Sequence, residues 1–162
     1  MRSLVVGCLL IAACDEAQPG QGKFMAATID GTYWRATGQA SQQAILDMHY
    51  FGIRGYTPMM PAADGSFTNA PAPGEPRLDI IFTNIPPEPG TYDIATTTNI
   101  AVTYGPDESR TFAAQTGTVE ITRIAQYGVD GTFAFTGSLT PGGPDTVAVT
   151  QGSFSAPILI VP

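Results

Sequence analysis

The chain has 162 residues, a formal net charge of −7 and a single lysine, Lys23. An acidic chain with no basic cluster excludes a nucleic-acid surface and electrostatic docking on anionic headgroups. Charged residues make up only 13%, against 18 glycines and 14 prolines, which is the composition of short strands joined by turns rather than of helices.

The first segment reads as a processing signal. Residues 4–13 are uncharged and mostly apolar, too short to span a bilayer, and preceded by Arg2. Ile11-Ala12-Ala13-Cys14 resembles the lipobox of bacterial lipoproteins: a branched apolar residue, two small ones, then cysteine. The resemblance implies a diacylglyceryl group on the Cys14 thiol and cleavage before it. Residues 1–13 are then a signal peptide, and Cys14 is the first mature residue and the membrane anchor. The alternatives are an ordinary signal peptide with a chance cysteine and a misassigned start. Cys8 is discarded with the signal, so the folded part is expected to hold no disulfide and no cysteine metal site. Loss of Arg2 takes the formal charge from −7 to −8.

Residues 14–23 are a polar tether, and a single all-β domain is expected over 24–162. Ile29 leads into Asp30-Gly31, a hairpin signal. Trp34 and Ala36 then alternate with Tyr33, Arg35 and Thr37. Ala44, Leu46, Met48 and Tyr50 form one face of a predicted longer strand, with Ile45, Asp47, His49 and Phe51 on the other. Further alternating runs centre on Leu78-Ile80-Phe82, Ile100-Val102-Tyr104, Val119-Ile121, Phe133-Phe135 and Val147-Val149. Turn chemistry falls at Pro89-Gly90, Gly105-Pro106, Asp130-Gly131, Pro141-Gly142-Gly143 and Gly152. Residues 29–33 and 129–133 echo each other and read as two similar hairpins. About nine or ten strands, each with one apolar face, predict an antiparallel β-sandwich. The alternative is a closed, lipocalin-like antiparallel barrel.

Residues 57–77 break the rhythm with five prolines, so they form no central strand. Met59, Met60 and Phe67 give this stretch apolar side chains. Two readings stand: a flap over a core edge, or a lid or partner-binding loop.

Ala27-Thr28-Ile29-Asp30-Gly31 with Trp34, Gly117 to Thr122, Asp130 to Thr136 and Gly152-Ser153-Phe154, in this order, resemble a domain-of-unknown-function family of small bacterial envelope lipoproteins. The resemblance spans most of residues 24–158. It implies an anchored all-β domain and transfers no catalytic residue.

Catalytic patterns are weak. His49 is the only histidine and lies beside Asp47 on one strand face, poorly placed for a triad, and no Gly-x-Ser-x-Gly elbow exists. Acids concentrate at predicted turns, where backbone hydrogen bonding explains them. Calcium at Asp107-Glu108 or an Asp-Gly turn is possible chemistry, but no EF-hand spacing supports it. Tyr33, Phe51 and Tyr56 are placed as outward rings, alongside Met59, Met60 and Phe67, in a surface that could meet a ligand or partner. The expected function is a non-enzymatic, lipid-anchored envelope module, without cofactor, that binds a protein or glycan from the periplasmic leaflet or cell surface. The second reading is a barrel carrying a small apolar ligand, and the third is a hydrolase using carboxylates.

Overall fold

The computed structural model describes residues 20, 22–45, 48–56, 73–83 and 87–160. Among them there is no helix, as expected from the composition. The strands are β1 (Phe24–Ile29), β2 (Thr32–Ile45), β3 (Met48–Tyr56), β4 (Arg77–Thr83), β5 (Gly90–Asp93), β6 (Ile100–Gly105), β7 (Thr111–Ala125), β8 (Gly128–Thr140) and β9 (Thr146–Ile160).

All nine join in one sheet, and it closes on itself. The order is β5-β7-β6-β4-β3-β2-β1-β9-β8, and β8 pairs back onto β7 along almost its whole length. Eight strands therefore form an antiparallel up-and-down barrel. The ninth, β5, pairs with β7 over Thr118–Asp93 to Ile121–Gly90, beyond the stretch of β7 that pairs with β6. Beyond the start of β1, β2 and β9 meet directly in a short parallel contact, Ala40 opposite Ile158.

The sandwich expectation is thus corrected in favour of the barrel. The short alternating runs visible in the sequence are fragments of longer strands. Sequence alternation marks only residues 118–122 of the 15-residue β7 and 147–149 of the 15-residue β9. Bulges at Ala114/Thr116, Ile121/Arg123 and Phe133/Phe135 shift the register there, so a period of two breaks while the strand continues.

One face of each strand fills a common interior. Met25, Phe51, Ile53, Leu78, Ile80, Phe82, Val119, Ile121, Val129 and Val149 are essentially sealed from solvent. Each such burial is worth about 1.5–3 kcal/mol relative to exposure. Thr132, Ala134 and Thr136 face out between the buried Phe133 and Phe135, as expected. The ring of Tyr92 on β5 meets Phe82 edge-on at 4.9 Å. The lumen is a packed core and not a tube.

Two local expectations are corrected. The predicted strand over 44–51 is two strands, because Ile45 pairs with Met48 and the chain reverses between them. Ala40 stands opposite Ile53, so the inward face passes from even numbers on β2 to odd numbers on β3. Phe51 therefore points into the core, 2% exposed, and not outward. The second correction is at Asp130-Gly131, which lies inside β8 and is no hairpin; the β7–β8 turn is at Gln126-Tyr127. Gly131 is there for space, since a Cβ would strike the Phe154 ring and the Glu120 carbonyl. Asp30-Gly31 is a true two-residue turn, with φ of +46° and +81°.

Antiparallel order gives the barrel two unlike ends. The β1–β2, β6–β7 and β8–β9 turns share one end, where the chain also leaves β3 at Tyr56 and re-enters β4 from Pro76. The opposite end carries the β2–β3 reversal, the β7–β8 turn, the start of β1 and the end of β9.

Candidate functional site: the barrel mouth

At the first end the packed core stops short of the rim and leaves a cavity of about 370 Å³. The β1–β2 hairpin supplies one wall with Ile29, Asp30, Thr32, Tyr33 and Trp34. The β6–β7 hairpin supplies the facing wall with Tyr104, Pro106, Arg110 and Phe112. Pro76 and Val147 complete the ring.

Both walls are held by local chemistry. The Asp30 N–H donates to the Ala148 carbonyl at 2.9 Å, and its carboxylate accepts the Ala148 N–H at 2.8 Å. The hairpin is thereby fastened to β9. On the other side, Asp107 Oδ1 accepts the N–H groups of Ser109 and Arg110 at 2.9 and 3.0 Å and the Ser109 hydroxyl at 2.7 Å. Its Oδ2 accepts both prongs of the Arg110 guanidinium, at 2.9 and 2.7 Å. The Ser109 hydroxyl, the Arg110 guanidinium and the Ser109 N–H hold the Asp107 carboxyl well below the usual range. The Asp107–Glu108 turn thus spends its acid on its own backbone and on Arg110. No group of three metal-ligating side chains occurs among the described residues.

Tyr104 and Phe112 sit opposite each other across the β6–β7 pair, with rings stacked at 6.3 Å and 29°. Burial pushes the Tyr104 hydroxyl above its ordinary pKa; Asp30 and Asp107 push the same way and Arg110 opposes them. The hydroxyl stays protonated and able to donate at any physiological pH. Neither it nor the Trp34 indole N–H has a hydrogen-bond partner among the described residues. Among the described residues the mouth thus offers aromatic faces, two donors without a partner, one carboxylate and one guanidinium. A second, shallower hollow of about 230 Å³ lies against Gly117, Ala134, Thr136 and Thr150.

The sequence-predicted site residues do not converge. Tyr33 stands on the mouth rim, 66% exposed. Phe51 is in the core. Tyr56 is not an open surface ring: it is 4% exposed, with its hydroxyl donating to Gln39 Oε1 at 2.6 Å. Burial raises its pKa, against the pull of Arg54. Met59, Met60, Phe67 and Cys14 lie outside the described residues, as does His49 with respect to its side chain. Of the stretch 57–77, only its last residues are described, and among them Pro76 borders the mouth. Sequence reasoning missed Tyr104, Arg110 and Phe112. The Gly105-Pro106 turn marked their hairpin, but nothing local said that this hairpin faces the Asp30-Gly31 hairpin.

Fold and site together define an eight-stranded up-and-down barrel with a packed lumen and a ligand-sized, aromatic mouth. The chain belongs to the family described as Domain of unknown function (DUF6252), whose model matches residues 74–156. The expected membership of a domain-of-unknown-function family therefore holds. The matched span runs from just before β4 into β9 and carries Tyr104, Arg110, Phe112 and Val147, but not the β1–β2 wall. No curated protein and no solved structure matches the chain.

Proposed function

We propose that this protein is a non-enzymatic, lipid-anchored binding barrel of the bacterial envelope, and that it takes a compact amphipathic ligand at its mouth. The mouth cavity carries the reading. Its volume lies in the range of small-molecule sites, and a mostly apolar wall with a few placed polar groups is how such sites achieve both affinity and orientation. Trp34, Tyr104 and Phe112 would cover the apolar face of a ring. The Tyr104 hydroxyl, Asp30 and Arg110 would meet its polar edge. A long acyl chain is disfavoured, because Met25, Phe51 and Ile53 fill the lumen that it would have to enter. The anchor rests on the resemblance of Ile11-Ala12-Ala13-Cys14 to a lipobox.

A protein or glycan partner is the second reading. It is favoured by Tyr33, whose exposed ring stands beside Asp30 on the rim.

Two measurements test the proposal. Intact mass of the protein purified from bacterial membranes should show a diacylated Cys14 and no residues 1–13, and Cys14→Ala should release it into detergent-free extract. An unmodified chain starting elsewhere ends the lipoprotein reading. Native mass spectrometry of the same protein should show a bound small molecule that is lost on unfolding and depleted in Tyr33→Ala. A homogeneous unliganded species, with no binding from envelope extract, ends the ligand reading.

A further inference from the structure

The N-terminal segment meets the barrel at the end opposite the mouth. Gly20 is buried against the wall there; a Cβ on it would fall 2.7 Å from the Gly128 Cα, and its φ is +79°. Its N–H donates to Asp130 Oδ1 at 2.9 Å, and the Gly22 N–H donates to the Ser155 hydroxyl at 3.0 Å. The other Asp130 oxygen accepts the Arg123 guanidinium at 2.7 and 3.2 Å. One carboxylate therefore ties the tether to strands β7 and β8 at a fixed point.

The same end carries two of the large apolar side chains that the described barrel leaves exposed. Tyr127, in the β7–β8 turn, is 67% exposed, and Leu159, near the end of β9, is 44% exposed. They are neighbours, since the Ile158 N–H donates to the Tyr127 carbonyl at 3.0 Å. A tyrosine beside an aliphatic residue is the pairing favoured at a membrane–water interface, with the ring body among the acyl chains and the hydroxyl in water.

Five residues separate Cys14 from Gly20, and the six Cα–Cα steps between them reach about 20 Å at full extension. Resting on the reading of Cys14 as a lipid anchor, we infer that the β7–β8 end of the barrel is a membrane-contacting surface. The latch at Gly20 brings Tyr127 and Leu159 down to the bilayer that holds Cys14. β8 is 13 residues long, and at about 3.3 Å per residue with ordinary barrel tilt it sets the mouth roughly 30 Å above that surface. The mouth then opens away from the membrane, and its ligand arrives from the aqueous compartment rather than from the bilayer below.

The test uses the full chain expressed in a bacterium, purified from membranes and placed in phosphatidylcholine vesicles with brominated acyl chains, which quench indole only within the bilayer. The sole tryptophan, Trp34, reports on the mouth. Wild-type emission should be unchanged by bromination. The indole added by Tyr127→Trp, or in a second variant by Leu159→Trp, should be quenched roughly twofold, as expected of an interfacial ring. Lipidated protein that floats with the vesicles but leaves both added indoles unquenched, or that shows Trp34 quenched, overturns the orientation and leaves the anchor standing. Protein without a lipid on Cys14, which does not float, overturns the anchor and this inference with it.

Discussion

Asp30 grips Ala148 with both its backbone and its side chain, at 2.9 and 2.8 Å. This double bond is what fixes the β1–β2 wall of the mouth to β9, and its position is set by a left-handed backbone at Asp30 that alanine adopts poorly. Asp30→Ala should therefore cost about 1.5–3 kcal/mol, from a lost charge-assisted hydrogen bond together with the left-handed penalty. Asp30→Asn keeps an acceptor oxygen and tolerates that backbone, so its cost should stay below about 1 kcal/mol. Urea unfolding of the two variants measures both. Equal costs would mean that the side-chain bond to Ala148 contributes nothing.

The one-face character of β8 gives a second expectation. Phe133 and Phe135 are buried in the common core, and Phe133 stacks on Phe154 at 6.3 Å. Either Phe→Ala change should cost about 3–5 kcal/mol. Thr132→Ala, on the outer face, should stay within about 1 kcal/mol. The same unfolding experiment compares them, and comparable losses on the two faces would contradict a barrel with a single packed interior.

Acid should loosen the tether. Burial alone would raise the pKa of Asp130, but the Gly20 N–H, the Ser155 hydroxyl and the Arg123 guanidinium together pull it below the ordinary aspartate range. A carboxylate depressed in the folded state stabilises fully above its unfolded pKa, and the contribution fades as pH falls through the folded value. The sign is therefore loss of stability on acidification below about pH 4. Asp130→Asn should be less stable than wild type at pH 7, and the gap should close as both are titrated to pH 3 and lower. A gap independent of pH would show that the carboxylate charge is not what holds Gly20.

Much of the fold was legible because the hydrophobic period of two is local. Leu78-Ile80-Phe82 and Trp34-Ala36 point inward and Tyr33, Arg35 and Thr37 outward, as their alternation says. What was not legible depends on partners distant in sequence. The two-residue reversal between Ile45 and Met48 carries no glycine or proline, and it inverts the inward parity that placed Phe51 outside. Asp130-Gly131 carries the same letters as Asp30-Gly31, but one glycine answers a backbone demand and the other the approach of Phe154. Closure between β7 and β8, and with it the meeting of the Asp30 and Arg110 hairpins, follows only from counting complete strands, which the bulges concealed. Tyr33 was found as an exposed ring; its neighbours in the mouth read as core.

The mouth as a ligand site is tested most directly by the emission of Trp34, the sole tryptophan and a lining residue. Titration with 1-anilinonaphthalene-8-sulfonate, a fused-ring probe with an anionic edge, should change that emission saturably at one site. Arg110→Ala and Tyr104→Phe should each weaken binding about tenfold, the loss of roughly 1.4 kcal/mol expected for one polar contact. Tyr104→Phe should leave the unfolding midpoint nearly unchanged, and Arg110→Ala, which also frees Asp107, should lower it by no more than an exposed ion pair is worth. Absence of saturable binding, or an affinity indifferent to both substitutions, would contradict the account.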